Sequence, residues 1–325
     1  MKILVFEYIT GGGFNRQALP DSLAGEGSLM LNALLDNLVR FNNLDITVML
    51  DERLNDSVGK AGISTVSISP EHETDEEFAR LVQQCDLVWP IAPEFDGILQ
   101  NLCQRVESSG KILLTSPAIA VAIAGNKFRT YELLNRHHIV VVPTRMFDDD
   151  YCLGEWMVKP VDGVGCADSH MISSRQDFDL MATRKGPYII QPHLQGATTS
   201  LSCLFKQGRG WLVCVNLQRF ELTNRQYRLT DIVINHHPDP GRYQRLVDQI
   251  AQALPELWGY AGIDLIETAD QTWVLEINPR LTSSFVGIHD ALGINVAETV
   301  LQLLHGEPIL NPTCNRAIHV QTYAN

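Results

Sequence analysis

The chain has 325 residues, 45% hydrophobic and 19% charged, which is long enough for two or three packed subdomains rather than one core. A formal charge of −13 disfavours nucleic acid or anionic membrane, which need a basic face, while leaving room for a local basic pocket for a small anion, and no stretch approaches the roughly 18 to 20 continuous apolar residues of a bilayer span. The expectation is a soluble, cytoplasmic, globular protein with neither nucleic-acid nor membrane partners, and a homo-oligomer is compatible with it.

From the N-terminus, "KILVFEYI" (2–9) reads as a strand and "LMLNALLDNLVRF" (29–41) carries apolar residues at helical spacing. "DITVMLD", "STVSIS" and "DLVWPIAPE" read as further short strands, and 94–115 adds a helix and a strand. Such alternation implies a parallel sheet whose ligand edge lies at the strand C-termini. The loop "TGGGFN" sits at that edge, around Gly12, but matches neither G-x-G-x-x-G nor the Walker A pattern. It reads equally as a ligand loop or a tight turn, and Glu7 and Tyr8 at the strand end share that ambiguity.

Beyond residue 115 the pattern changes. A helix is expected from about Asn126 to Arg136, then a strand "IVVVPTRMF", then "EWMVKPVDGVGC", "YIIQPHLQGATTSLSCLF" and "GWLVCVNLQRFEL". A long helix near 242–258 and the pair "YAGIDLIE" and "TWVLEIN" follow. Short turns such as "KQGRG" and "TADQ" indicate hairpins, hence an antiparallel sheet backed by helices. The fold class is therefore α/β followed by α+β. Seven scattered cysteines, odd in number and never spaced C-x-x-C, read as reduced thiols, and neither of the adjacent histidine pairs can chelate one metal in regular structure.

The strand "TWVLEINPRLT" (272–282) carries the chemistry. Glu276, Asn278 and Arg280 fall at every second position and so share one face. Asp264, on the strand expected to pair with it, adds a second carboxylate. The set suits a hard, all-oxygen Mg²⁺ site, although a solvated sheet edge would also account for it. Lys159 ends an apolar strand before Pro160, Gly163 and Gly165, where glycines let backbone N–H groups approach phosphate and a packed lysine stem holds a fixed charge. Lys127, at the expected helix start in "KFRTYELL", offers a second ammonium.

Taken in order, "GNKFRTYELL", "VKPVDGVGC", "YIIQPHLQG", "GIDLIE" and "EINPR" resemble the ATP-grasp superfamily. The resemblance implies an ATP-grasp fold behind a Rossmann-like α/β domain, with 1–115 as that domain, 116–185 as the central subdomain with the glycine-rich loop, and 186–325 as the C-terminal subdomain with the metal site. It implies ATP held by Lys127 and Lys159, a loop through Gly163 and Gly165 closing over the phosphates, and an adenine hinge at Gln191, Pro192, His193 and Leu194. Asp264, Glu276 and Asn278 would hold two Mg²⁺ ions, replaceable by Mn²⁺, and Arg280 would act with Lys159 on the transferred phosphate. Two departures stand out. Thr198 lies about where many members have a ribose-binding Glu, and Gly262 lies where some carry an Arg.

"ILVFEYITGGG", "WPIAPEFDGIL", "NLQRF" and "EINPRLTSSFVGI" further resemble the tyramine–glutamate ligase group of methanofuran-type coenzyme biosynthesis. That implies small-molecule partners, an acid such as glutamate and an amine, joined through an acyl phosphate. Glu7 and Glu94 are then candidate proton acceptors, Tyr8, Phe14 or Trp89 candidate aromatic contacts, and Gly12 and Arg219 further substrate contacts, with Arg219 or Arg225 as alternatives to Arg280 on the acyl phosphate. Another amino-acid or peptide ligase, a kinase, and a non-catalytic ATP-binding regulator remain as rival readings.

Overall fold

Apolar strands separated by amphipathic helices build the first layer. In the computed structural model, which describes residues 1–57, 62–148, 150, 153–237 and 241–322, the chain runs through β1 (Lys2–Glu7), α1 (Asp21–Leu38), β2 (Asp45–Asp51), β3 (Ile63–Ile68), α2 (Thr74–Gln84), β4 (Leu87–Ile91), α3 (Ile98–Ser108) and β5 (Ile112–Leu113). The strands form a parallel sheet in the order β3-β2-β1-β4-β5. Because both faces are covered, β1 and β4 are almost continuously buried, as expected of parallel strands.

Two antiparallel sheets follow. After α4 (Ala118–Ala124) and α5 (Lys127–Arg136), β6 (Arg145–Met146), β7 (Trp156–Pro160), β8 (His170–Ile172) and, beyond α6 (Arg175–Ala182), β9 (Tyr188–Pro192) form a four-stranded sheet ordered β6-β9-β7-β8. The chain continues as β10 (Ala197–Lys206), β11 (Arg209–Thr223), β12 (Gln226–Ile234), α7 (Gly241–Ala253), β13 (Gly259–Glu267), β14 (Thr272–Asn278), α8 (Ile288–Leu292), α9 (Val296–Leu303) and β15 (Ile318–Gln321). These strands make a six-stranded sheet ordered β14-β13-β10-β11-β12-β15.

One apolar cluster ties the layers together. Ile3, Val5 and Leu34 from the first layer pack with Leu204, Phe285 and Val300 from the last. The parallel sheet therefore has a fixed position against the six-stranded one, and the C-terminal end of β1 faces the hairpin β13–β14.

Several boundaries differ from the sequence expectation. "IVVVPTRMF" is not a continuous strand: Val141 makes a single bridge to Val274 and only Arg145–Met146 pair with β9. Pro143 between them has no N–H for a ladder. The helix near 242–258 stops at Ala253, two residues before Pro255, because the residue preceding a proline is driven out of the helical region. Helix α1 begins at Asp21, eight residues before the apolar period, with consequences for the site. Six of the seven cysteines are described and all six are free thiols; Cys152 lies outside the described residues. No helix among the described residues is long and apolar enough to cross a membrane.

Candidate active site

The hairpin β13–β14 sets the centre of the site. Asp264 lies directly opposite Glu276, and Gly262 opposite Asn278, so both carboxylates and the amide share a face. A bulge after Asp264 leaves Leu275 as an extra residue opposite the ladder, so Leu275 and Glu276 both line the cleft while Val274 and Ile277 stay in the core. The Asn278 amide donates to Asp264 Oδ2 at 3.0 Å and the Gln218 amide to Asp264 Oδ1 at 3.1 Å.

The cations arrive from other elements. Asn126 caps α5 by accepting from the Arg129 N–H, which fixes Lys127 at the first turn. The Lys127 ammonium lies 3.2 Å from Glu276 Oε2 and donates to the Gly163 carbonyl at 2.5 Å. Lys159 enters the same cleft from the end of β7. Burial and the Glu276 charge push the Asp264 carboxyl up, to about 7. Burial alone would raise Glu276 too, but Lys127 and Lys159 together outweigh it and hold Glu276 below its usual range. Burial lowers the Lys159 pKa, against the pull of Glu276. The hairpin thus presents one firmly ionised carboxylate and one that needs further positive charge to ionise easily.

Two cavities meet here. The inner one, about 130 Å³, holds the two lysines, the two carboxylates, Asn278 and Arg280, with Gly163 and Gly165 at its rim. The neighbouring one, about 450 Å³, lies between the two antiparallel sheets, with apolar walls from Met157, Ile266 and Leu275 and an edge formed by Gln191, Pro192, His193 and Leu194. Its size and apolar walls suit a purine base. The hinge side chains are engaged: Gln191 donates to Thr144 Oγ1 at 2.8 Å, and the His193 ring contacts Glu155 at 3.0 Å and the Tyr227 hydroxyl at 2.8 Å. Backbone groups are what the hinge has left to offer. Thr198 lines both cavities, with its hydroxyl donated to the Gln218 carbonyl at 2.8 Å.

Arg280 lies just past the end of β14, and Glu94, three residues past the end of β4 in the parallel sheet, grips it bidentately, Nε and Nη2 donating at 2.9 and 3.0 Å. Nη1 donates to the Leu281 carbonyl, so two of the five N–H bonds stay available toward the cleft. Glu94 is correspondingly committed: both of its oxygens accept from Arg280. Glu7 is buried and accepts from the Thr10 N–H and hydroxyl, each at 2.6 Å.

The remaining sequence candidates lie elsewhere. Gly12 has φ +100° and a Cβ there would meet Ile68 at 2.5 Å, so it shapes a packed turn. Tyr8 packs edge-on against Phe6 and Phe14, and Trp89 is buried in the core of the parallel sheet. Arg219 pairs with Asp231 at 3.5 Å on the exposed side of β11, and Arg225 pairs with Asp177 at the β11–β12 turn. At Gly262 a Cβ would meet the Thr282 methyl at 2.7 Å, which leaves no room for a longer side chain in this chain.

One residue escaped the sequence reading. Glu26, on α1, lines the inner cavity beside Arg280 and Ser283. "GEGS" (25–28) looks like a loop because glycine weakens helices. Yet α1 runs through it, and a Cβ on Gly27 would come within 2.5 Å of Glu7 Oε2. A polar residue between two glycines in front of a helical period, opposite a buried strand-end carboxylate, was the available signal.

The geometry agrees with the comparisons to known proteins. Residues 44–121 match the pre ATP-grasp 3 domain and residues 124–284 the ATP-grasp domain. The chain is 25% identical over 288 residues to tyramine–L-glutamate ligase of Methanocaldococcus jannaschii, covering 88% of this chain and 84% of that one. It is 24% identical to the same enzyme of Methanocaldococcus fervens, covering 88% and 89%. Among solved structures, an ATP-grasp superfamily protein from Archaeoglobus fulgidus superposes with a TM-score of 0.75 at 23% identity, covering 99% of this chain and 92% of that one. The cleft between two antiparallel sheets, the matched domains and the shared fold lead to one conclusion: this chain belongs to the ATP-grasp superfamily.

Proposed function

We propose that this ATP-grasp ligase joins the side-chain carboxylate of glutamate to tyramine or a related aromatic amine, in the assembly of a methanofuran-type coenzyme in the cytoplasm. The observation that carries the reading is the convergence of Lys127, Lys159, Asp264, Glu276 and Asn278 on one cleft, with Arg280 at its inner end. Relatives named tyramine–L-glutamate ligase, similar over most of both chains, support the choice of substrates.

The donor set fits Mg²⁺: two carboxylates and an amide are hard oxygen donors, and a carboxyl pushed up by burial and by its carboxylate neighbour would gain from a cation. Asp264, Glu276 and Asn278 would hold the metal, which supplies charge neutralisation on the phosphate oxygens. Lys127 and Lys159 hold the outer phosphates as fixed positive charges, and the backbone through Gly163 and Gly165 covers them. A glutamate carboxylate oxygen attacks the γ-phosphorus as the bond to the ADP oxygen breaks. The amine nitrogen, once its ammonium has given a proton to solvent, attacks the acyl carbon, the C–O bond to phosphate breaks, and the nitrogen's second proton leaves with the departing phosphate or to solvent. The free N–H bonds of Arg280 serve oxygens that gain charge in both steps.

With Mg²⁺-ATP, glutamate and a panel of amines including tyramine and tyrosine, ADP and phosphate should appear only when acid and amine are both present, with a product mass equal to their sum less water. A stable phosphorylated acceptor would make the protein a kinase instead, and ATP binding without turnover would make it a sensor. Lys159→Ala should weaken nucleotide affinity by roughly tenfold or more, since a charged hydrogen-bond donor is lost. Unchanged affinity in a calorimetric titration would remove Lys159 from the site.

A further inference from the structure

Glu26 stands where three cavities meet. It lines the inner phosphate cavity, a small cavity of about 50 Å³ under Val164 and Gly165, and a wide outer cleft of about 970 Å³ between the start of α1, the glycine loop and the β11–β12 turn. The small cavity is walled mainly by apolar side chains, among them Ile9, Leu23, Met30 and Ile91, with Glu7 and Arg280 at its polar end. That space is ample for water-sized groups, an ammonium and its first methylene among them.

The charges around it are unequal in their commitments. Arg280 is the one cation lining the small cavity among the described residues, and Glu94 holds it with both oxygens. Glu7 is occupied by Thr10. Glu26 has a single hydrogen-bond partner among the described residues, Ser283 Oγ at 3.4 Å, and feels Arg280 only through space. Its carboxyl is therefore the acceptor left open at the junction; burial pushes it up, as it does Glu7, so a cation placed there gains by restoring the ionised form.

We propose that Glu26 binds the ammonium group of the amine co-substrate, at the point where the small cavity opens toward the phosphate site, with the aryl part of the amine in the wide outer cleft. The proposal rests on the ligase reading above and assigns one of its two substrates a place. Glutamate also carries an ammonium group, but its α-carboxylate needs a cation beside it. The small cavity offers none beyond the Arg280 already paired with Glu94. An amine with an apolar tail has no such requirement.

The test is Glu26→Gln, with tyramine as the variable substrate and hydroxylamine as a second nucleophile. Hydroxylamine is uncharged at neutral pH and traps a glutamyl phosphate as the hydroxamate without an ammonium site. The KM for tyramine should rise roughly 10- to 100-fold, the loss expected for one charge-assisted contact. Hydroxamate formation and the KM for glutamate should change much less. The neutral alcohol analogue, 2-(4-hydroxyphenyl)ethanol, should inhibit variant and wild type about equally, so discrimination between amine and alcohol narrows, a change that damage to the fold would not produce. An unchanged tyramine KM, a rise confined to the glutamate KM, or hydroxamate formation lost as steeply as ligation would each overturn the assignment. Absence of hydroxamate from the wild type would instead strike the acyl-phosphate reading itself, and this proposal with it.

Discussion

Replacing Glu276 with Gln is expected to lower amide formation by about a thousandfold or more while leaving the chain folded, the scale of effect seen when charge stabilisation is taken from a transition state. Glutamine keeps the volume and the β14 position, so the packing of Val274 and Ile277 behind it is undisturbed. What changes is charge. Glu276 faces Asp264 across the ladder and lies 3.2 Å from the Lys127 ammonium. Its removal ends the carboxylate pair that would share the metal and leaves both lysines without their nearest anion. On stability these two consequences oppose each other: relief of repulsion with Asp264 against two less compensated ammonium groups. The melting temperature should therefore move little compared with activity. Phosphate release assayed beside thermal unfolding checks both halves. A rate within about tenfold of wild type would remove Glu276 from the metal site, because losing one of the two carboxylates that would hold the metal should cost far more than that.

How much of this site could be read from the sequence depends on whether its parts lie along one element. Asp264, Glu276 and Asn278 were legible because a strand's period of two is strict and a four-residue turn fixes the hairpin partner. Lys127 and Lys159 were legible from local punctuation, a helix start and a Lys-Pro strand end. The bulge at Leu275 was not, since an extra residue in a ladder leaves no mark in an apolar run. Strands β12 and β15 went unnamed: β12 is polar through its first half, and β15 is a four-residue edge strand. Contacts between distant segments were the least accessible. Arg280 and Glu94 are 186 residues apart, and Glu26 and Ser283 are 257 apart. Nothing local in either segment announces the other, so Arg280 read as a free phosphate ligand and Glu94 as a free base. The loop around Gly12 drew attention for its glycines, which close packing against Phe6, Ile68 and Tyr8 explains.

The pairing of Arg280 with Glu94 carries the second large effect, this time on stability. Both side chains are nearly buried, 12% and 6% exposed, and they join the parallel sheet to the end of the β13–β14 hairpin. Breaking a buried pair by deleting one partner is costly because the other is stranded. Glu94→Ala should lose about 3 kcal/mol in urea unfolding, near the low end for such pairs because Glu7 and Glu26 also face the guanidinium. Arg280→Met should cost a similar amount, leaving Glu94 as an unpaired buried carboxylate. Glu94→Met combined with Arg280→Met should recover most of that loss, since neither charge then needs solvating. Activity should follow a different order. On the proposed role of Arg280 the double variant should stay inactive, because the guanidinium that would answer charge on the phosphoryl and acyl oxygens is gone, whereas Glu94→Ala keeps Arg280 but loses the geometry that aims it. Stability that recovers while turnover does not would separate the two duties of Arg280. A Glu94→Ala loss under about 1 kcal/mol would show that the pair is hydrated enough to behave as a surface bridge, and a double variant as unstable as the sum of the singles would show that the methionines do not pack where the charges met.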